Sequence, residues 1–252
     1  MPFTALGILT LEPSCRSLAR ERLDPIREWA CVYGAEADPK LLRSFDLLII
    51  EPDSPPPLSE YTGLTLAYLS LGEVNRSRSY FDRVPKRAPN PSWPGAFRID
   101  LENGVWHRMV LQEILPSLQV YDGVFVDTVD SAADQKREML DLLRDVRRAL
   151  SRKILLVNNP ESWVDQIDCD AVMAESLFTR FDFQSRTYGR ANPLEAEERA
   201  RRYQGRLVFS LEYAVTPADV EFALRRAREF GFVPYVTTID LQRPTTFHRR
   251  PR

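Results

Sequence analysis

Histidine and lysine are scarce in this chain of 252 residues. Histidine occurs only at positions 107 and 248, and neither follows an apolar segment of the kind that forms a strand. A metal hydrolase built on histidine ligands is therefore not expected. The lysines are at positions 40, 86, 136 and 153. Because none of them ends a predicted strand, a Schiff-base aldolase is not expected either.

Several other signals of common protein classes are missing. No glycine-rich loop follows the early apolar segments, which argues against a dinucleotide-binding fold. No serine or cysteine has the context of a nucleophile elbow, and no apolar run approaches the ~20 residues of a membrane span. The formal net charge of −2 gives no electrostatic support for a nucleic-acid or anionic-membrane partner.

Cysteine is also rare. The chain has Cys15, Cys31 and Cys169, an odd number without the spacing of metal ligands. We expect them to be buried apolar residues rather than a disulfide framework.

The chain does contain a regular series of short apolar segments. They lie at residues 29–33, 46–50, 64–71, 123–126, 154–157, 171–174, 206–211 and 232–237. Segments with helix signals separate them, such as Asp38-Pro39, which predicts a capped helix start, and the amphipathic stretch 134–150. Alternating strands and helices predict βαβ units with a parallel sheet.

The eight segments and the chain length together predict a single-domain α/β protein, a (β/α)8 TIM barrel, which typically needs about 250 residues. We assign the barrel to residues 29–246, an N-terminal extension to residues 1–28 and a basic tail to residues 247–252. Within the extension, residues 5–11 are apolar enough to form an extra strand. The proline-rich segment 82–95 follows a strand, so we expect it to be a βα loop.

The most informative segment is residues 121–130, with the sequence YDGVFVDTVD. Its apolar centre predicts a buried strand, which ends in Asp127 and is followed by Asp130. Polar residues that follow the other predicted strands are Glu51, Asp53, Glu73, Asn158, Asn159, Glu175, Glu212 and Asp240. Singly, such a residue is more often a solvated loop residue or a helix cap. In a barrel they converge on one mouth, where so many acids would repel each other without a purpose.

Acids without histidine or lysine partners point to carboxylate chemistry. Paired carboxylates across a cleft are what glycoside hydrolysis requires, because one protonates the leaving oxygen and the other attacks or stabilises the sugar centre. A carbohydrate-binding barrel without turnover is one alternative. A divalent-metal lyase or isomerase that uses the acids as oxygen ligands is another.

Three segments together resemble glycoside hydrolase family 114, the endo-α-1,4-polygalactosaminidase-like family of TIM barrels. They are LAYLSLGE at residues 66–73, DGVFVDTVD at residues 122–130 and AESLF at residues 174–178. The resemblance implies a polysaccharide or oligosaccharide substrate, and it places the essential acids at the ends of the fourth and sixth strands. Those positions correspond to Asp127 and Glu175. By analogy with α-retaining barrels, Asp127 is expected to be the nucleophile and Glu175 the general acid/base, with no cofactor and no metal.

Further residues are expected to bind the substrate. They are Tyr68, Glu73, Trp93, Asp130, Asn158, Glu212, Tyr213 and Asp240. Asp130 either orients Asp127 or caps the following helix, and Asn158 either bonds a sugar hydroxyl or forms a turn. Arg76 is expected to neutralise Glu73. Aromatic residues on the loops after the third and sixth strands either stack on sugars or hold their loops in place.

The acidic mouth favours a cationic ligand, and a galactosamine polymer with free amines is one. The family resemblance implies a secreted or periplasmic protein. Residues 1–9 lack the basic n-region of a signal peptide, so a cytoplasmic location stays open, as does the oligomeric state.

Overall fold

The structure is a computed structural model that describes residues 15–247. The strands are β1 (Trp29–Val32), β2 (Leu47–Ile50), β3 (Leu64–Ser70), β4 (Glu73–Asn75), β5 (Lys86–Pro89), β6 (Ala96–Ile99), β7 (Gly123–Asp127), β8 (Ile154–Asn158), β9 (Ala171–Glu175), β10 (Thr179–Asp182), β11 (Thr187–Arg190), β12 (Val208–Tyr213) and β13 (Val233–Thr237). The extra strand predicted at residues 5–11 lies outside the described residues.

Eight of these strands form one parallel sheet in the order β1-β2-β3-β7-β8-β9-β12-β13. The first and last strands of this sheet, β1 and β13, are joined by hydrogen bonds outside the strand ladder. The Trp29 Nε1 donates to the Val233 carbonyl at 3.0 Å, and the Tyr33 backbone N–H donates to the Leu241 carbonyl at 2.8 Å. The sheet therefore curls into a nearly closed barrel, and the predicted (β/α)8 fold is confirmed.

The helices are α1 (Cys15–Leu23), α2 (Pro39–Leu42), α3 (Val105–Met109), α4 (Leu115–Ser117), α5 (Lys136–Leu150), α6 (Pro193–Arg202) and α7 (Pro217–Glu229). A π-helical segment, Val110–Ile114, joins α3 to α4, and short 3₁₀ helices span Phe81–Arg83, Asp130–Gln135 and Val164–Gln166. The predicted start of α2 is confirmed, because the Asp38 side chain accepts the Lys40 N–H there. Two residues of α1, Ala19 and Leu23, are buried against the barrel core.

Two insertions follow barrel strands at the C-terminal mouth. After β3, the strands β4, β6 and β5 form a small antiparallel sheet, and after β9 the strands β10 and β11 form a hairpin. The segment 82–95, predicted as a loop, thus contains β5. The sequence does not predict β5 because this strand is a half-exposed edge strand that ends in proline. An edge strand of this kind does not need the alternation of apolar and polar residues by which strands are recognised.

The barrel strands show the period-two alternation that positions the site. Phe125, Leu156 and Met173 lie in one core cluster inside the barrel, whereas Val124 and Val157 pack with the outer helices. Successive side chains of a strand point to opposite faces. The residue two positions beyond each interior residue therefore also points inward, at the mouth.

Candidate active site

Three neighbouring barrel strands each end in a polar residue whose side chain points to the barrel interior. Asp127 ends β7, Asn158 ends β8 and Glu175 ends β9. Each is two positions beyond an interior apolar residue, so its side chain points into the mouth rather than toward the helices. The carboxyl ends of barrel strands are where TIM-barrel enzymes place catalytic groups.

One amide nitrogen joins the two acids, which we call the carboxylate pair (Asp127 and Glu175). The Asn158 Nδ2 donates to Asp127 Oδ1 at 2.8 Å and to Glu175 Oε2 at 2.6 Å. Asn158 is buried, with 4% of its surface exposed, whereas both acids are half-buried and keep a face open to the mouth.

Two tyrosines complete the hydrogen bonds to the carboxylate pair. Tyr68 Oη on β3 donates to Asp127 Oδ2 at 2.9 Å, and Tyr213 Oη on β12 donates to Glu175 Oε1 at 2.6 Å. Asp127 also accepts the Thr128 backbone N–H at 2.7 Å. Asp127 thus has three donors and Glu175 has two, and each additional donor favours the ionised form of its acid.

The pKa values of both acids reflect this enclosure. Burial, together with the nearby charge of Asp127, raises the pKa of Glu175 to about 7, although Tyr213 and Asn158 oppose the rise. Burial also raises the pKa of Asp127, and the bonds from Asn158, Thr128 and Tyr68 counteract it. Two acids this close do not ionise independently, because the charge of one raises the pKa of the other.

The chain turns sharply after each of the three strand ends. Thr128, Asn159 and Ser176 directly follow them and adopt φ values of 60°, 42° and 56°. Positive φ is uncommon for residues other than glycine and persists only where surrounding contacts hold it. One such contact is the Asn159 Oδ1, which accepts the Glu175 backbone N–H at 2.9 Å. Sequence reasoning missed this role for Thr128 and Ser176, and only Asn159, a residue that tolerates positive φ, carried a hint.

Glu212 was predicted to bind substrate, and the structure gives it a different environment. It is completely buried. Its Oε2 accepts the backbone N–H groups of Phe178 and Thr179 at 2.9 and 2.7 Å, and its Oε1 accepts the Ser210 hydroxyl at 2.7 Å. Since both oxygens are occupied and enclosed, Glu212 anchors the chain that follows β9 instead of facing a ligand.

Glu73 is also enclosed. Its carboxylate accepts Asn90 Nδ2 at 2.9 Å and the Ser131 hydroxyl at 2.6 Å, and 6% of its surface is exposed. Arg76 was expected to neutralise it, but the Arg76 guanidinium lies over the Phe97 ring, 5.1 Å from its centroid. Glu73 thereby ties the sheet of β4–β6 to the loop after β7.

The two acids that follow β2 form ion pairs with one arginine. Arg78 donates to Glu51 at 2.5 and 2.7 Å and to Asp53 at 2.7 Å, and its guanidinium lies 5.7 Å from the Tyr68 ring centroid. This arginine therefore offsets part of the negative charge that the sequence places at the mouth.

Asp130 keeps an exposed side chain near the carboxylate pair. Desolvation of its carboxyl group by the neighbouring protein atoms, together with the charge of Asp127, raises the pKa of Asp130 to about 6. Among residues 15–247, no arginine or lysine forms an ion pair with it. It lines a cavity of about 340 Å³ with Glu161, Trp163 and Arg199. Asp130 is the first residue of the 3₁₀ helix Asp130–Gln135, whose N-cap is Val129, and α5 begins six residues later, so Asp130 is the N-cap of neither helix.

The two remaining predicted contacts lie at the edge of the mouth. Asp240 is exposed and accepts the Thr238 hydroxyl at 2.8 Å within its own turn. Trp93 is 48% exposed and packs edge-on against Phe183 of the β10–β11 turn, with ring centroids 4.9 Å apart. The two insertions therefore touch each other through these rings.

Cys31 on β1 and Tyr33 directly after β1 lie next to the site residues, which sequence reasoning did not anticipate. The buried Cys31 thiol has a pKa well above its usual value because of burial and the charges of Glu175 and Asp127. Tyr33 packs on Tyr68 with ring centroids 5.0 Å apart. Cys31 and Tyr33 are two positions apart, so their side chains point to the same face of the sheet. This spacing was the signal that the sequence offered. Cys31 and Cys169 are free thiols.

Between residues 15 and 247, no three side chains of histidine, cysteine, aspartate or glutamate come together as a metal site. No helix in the same range has the length and apolar character needed to cross a membrane.

Comparison with known sequences gives one family. The sequence model of glycoside hydrolase family GH114 matches residues 14–250. An uncharacterised protein of Deinococcus radiodurans is 26% identical over 225 residues, which cover 76% of this chain and 72% of the relative.

Comparison with solved structures gives the same architecture. The glycoside hydrolase domain of PelA from Pseudomonas aeruginosa is 24% identical and superposes with a TM-score of 0.73 over 86% of this chain and 96% of that domain. Aspergillus fumigatus Ega3, solved in complex with galactosamine, is 14% identical with a TM-score of 0.68 over 93% and 96% of the two chains. At these identities the likeness establishes a common fold.

Proposed function

Since the chain belongs to glycoside hydrolase family GH114 and is a glycosidase, we propose that it cleaves internal linkages of a galactosamine-containing polysaccharide. Asp127 and Glu175 are the two catalytic carboxyl groups of this proposal. The observation that carries it is the single amide nitrogen of Asn158, which lies within hydrogen-bond distance of both acids. Two acids in such contact, open to the mouth of a barrel, match what glycoside hydrolysis requires.

The separation of the acids supports a retaining mechanism. Because both oxygens bond the same nitrogen, at 2.8 and 2.6 Å, they lie no further apart than the sum of these distances. That limit on the two bridged oxygens is compatible with the ~5–5.5 Å separation of the carboxyl groups in retaining glycosidases.

The hydrogen-bond donors support a role for each acid. Asp127, with three donors, is the ionised nucleophile that attacks the anomeric carbon while the glycosidic C–O bond breaks. Glu175, with a pKa of about 7, is protonated and gives its proton to the leaving oxygen. In the second step Glu175 takes a proton from water, whose oxygen displaces Asp127 from the sugar.

The substrate class in this proposal is a sugar with free amines. Ega3, which shares the fold, was solved with galactosamine. In this chain Asp130 is an acid near the carboxylate pair without a cationic partner among the described residues, and its pKa of about 6 leaves it ionised at neutral pH. An ammonium group on the substrate would complement that charge.

Hydrolysis of matched glycans tests the proposal. Deacetylated and N-acetylated galactosamine oligosaccharides are incubated with the wild type and with Glu175→Gln. We expect faster cleavage of the deacetylated form, product of α configuration by NMR, and an early fall in polymer length that marks internal cleavage. Equal rates on both glycans would refute the charge argument, and a β product would refute retention. Binding without product after long incubation would instead indicate a carbohydrate-binding barrel.

A further inference from the structure

We propose that Asn158 is a positioning residue that fixes the carboxylate pair, with one amide hydrogen held by each acid. The inference rests on the proposed two-carboxylate function and assigns to Asn158 a task different from bonding a sugar hydroxyl. It concerns geometry, because Asn158 lies between the acids and does not contact the scissile bond itself.

The order of the barrel strands places Asn158 within reach of both acids. Strand β8 lies between β7 and β9 in the sheet, and Asn158 pairs in register with Met173, two residues before Glu175. A side chain at the end of the middle strand therefore lies between those at the ends of its neighbours. An amide nitrogen carries two hydrogens in a fixed planar arrangement, so it serves two acceptors at once.

The orientation of the amide follows from the charges around it. Turning the group over would place Oδ1 between two carboxylates, which offer no donor unless protonated. In the observed orientation Oδ1 is buried without a hydrogen-bond partner among the described residues. Leaving a buried oxygen unpaired is unfavourable, and the two bonds from Nδ2, which are strengthened wherever the acid is ionised, offset this cost.

Asn158 would matter for both position and protonation. An acid that loses this donor is free to rotate, and a misplacement of about 1 Å lowers turnover by as much as 10²-fold. The ionised forms also lose a hydrogen bond, so both carboxyl groups hold protons more tightly.

The other titratable groups around the carboxylate pair stay the same when Asn158 is replaced. They are Cys31 and Tyr33 from β1 and its end, Tyr68 with its neighbour Arg78, Glu73, Asp130, and Tyr213 from β12. A change in the titration of Glu175 therefore reports on Asn158.

Two variants of Asn158 and one matched control test the inference. Asn158→Ala removes the amide, and Asn158→Leu keeps the branched shape of the side chain while removing both hydrogens and adding no titratable group. Asn192→Ala is the control, because Asn192 caps α6 by accepting the Leu194 N–H at 3.0 Å, away from the carboxylate pair. The measurement is kcat/KM against pH on deacetylated oligosaccharides, with thermal melts of each variant.

We expect both Asn158 variants to lower kcat/KM by about 10²-fold and to move the pH profile upward by about one unit. The Asn192 control is expected to melt at a lower temperature with an unchanged profile. If the Asn158 variants also melt lower while keeping the wild-type profile, Asn158 is only structural and the proposal is overturned.

A second readout separates this inference from the proposed function. Protein labelled with ¹³C at glutamate carboxyl groups is titrated by NMR, and the Glu175 signal is identified by its loss in Glu175→Gln. We expect Asn158→Ala to raise the Glu175 midpoint by about one unit. A shifted midpoint in a protein that hydrolyses no glycan would reject the glycosidase proposal and keep the positioning role. An unshifted midpoint would reject the positioning role.

Discussion

Glu175 and Glu212 are buried acids on adjacent barrel strands, and their surroundings differ in one decisive way. Burial raises the pKa of each to about 7. Glu212 is completely enclosed, and backbone N–H groups and hydroxyls occupy both of its oxygens. Glu175 is half-buried, and its donors are the side chains of Tyr213 and Asn158.

The comparison teaches that a raised pKa marks burial and does not by itself mark a catalytic group. Donors from the backbone fix an acid as part of the fold, since they hold a segment of chain in place. Donors from other polar side chains, combined with an open face, leave the acid available to a substrate. Five predictions, ordered by expected effect, test this distinction.

The largest effect is expected from removing a carboxyl group of the pair. Asp127→Asn or Glu175→Gln should each lower turnover by about 10³-fold or more, because the nucleophile or the proton donor is lost. Glu212→Gln is the matched control and should keep turnover within a few-fold, since the amide oxygen keeps the two backbone bonds and the amide nitrogen donates to the Ser210 hydroxyl. Comparable loss in all three variants, measured on one glycan, would remove the distinction between the two glutamates.

The second effect concerns stability. Glu212→Ala should lower the free energy of unfolding by about 2–4 kcal/mol, because the buried N–H groups of Phe178 and Thr179 lose their acceptor. Urea unfolding against Glu212→Gln measures the difference. A loss below about 0.5 kcal/mol would mean that Glu212 does not anchor this segment.

The third effect is a dependence of stability on pH. The folded pKa of Glu212, about 7, is above its ordinary value of 4.5, so the folded state binds this proton more tightly than the unfolded chain. The free energy of unfolding should therefore fall as pH rises from about 4.5 to about 7, by up to about 3 kcal/mol for this group.

Urea unfolding at pH 5 and pH 8 measures that fall. Glu212→Gln should reduce it, with little change at pH 5 and a relative gain at pH 8, because a neutral amide replaces a buried charge. An equal fall in the wild type and the variant would assign the dependence to other groups.

The fourth effect distinguishes the two tyrosines that bond the carboxylate pair from a tyrosine that bonds only backbone carbonyls. Tyr68→Phe and Tyr213→Phe should each lower kcat by about 10-fold to 100-fold, since each removes a hydrogen bond to a charged acid. Tyr61→Phe is the control, because the Tyr61 hydroxyl bonds the carbonyls of Phe45 and Leu64. If the Tyr61 variant loses as much activity, the hydroxyls act through the fold.

The smallest effect is expected at the edge of the mouth. Trp93→Ala should raise KM for long oligosaccharides by about 2-fold to 10-fold, because an exposed ring suits sugar stacking. Val120→Ala, an exposed apolar residue that precedes β7 at the other end of the barrel, is the control. An unchanged KM on long chains would show that Trp93 only packs on Phe183.

The sequence predicted the barrel strands because buried parallel strands are short, apolar and separated by helices. It also predicted that Asp127 and Glu175 point to the mouth, since strand ends converge there. It did not predict the partners of Glu212, Glu73 or Glu51. Those partners belong to segments that are remote in the chain, and no local pattern records which remote group an acid meets.

The sequence by itself thus determined the periodic features of this protein: the eight strands, their phase and the identity of the strand-end acids. Alternation along a strand is a local property that side-chain burial enforces. Only the tertiary structure decided which acids are open and which are enclosed, and that one amide of Asn158 serves two of them. Hydrogen bonding and desolvation depend on the distances between segments, and the closing of the barrel sets those distances.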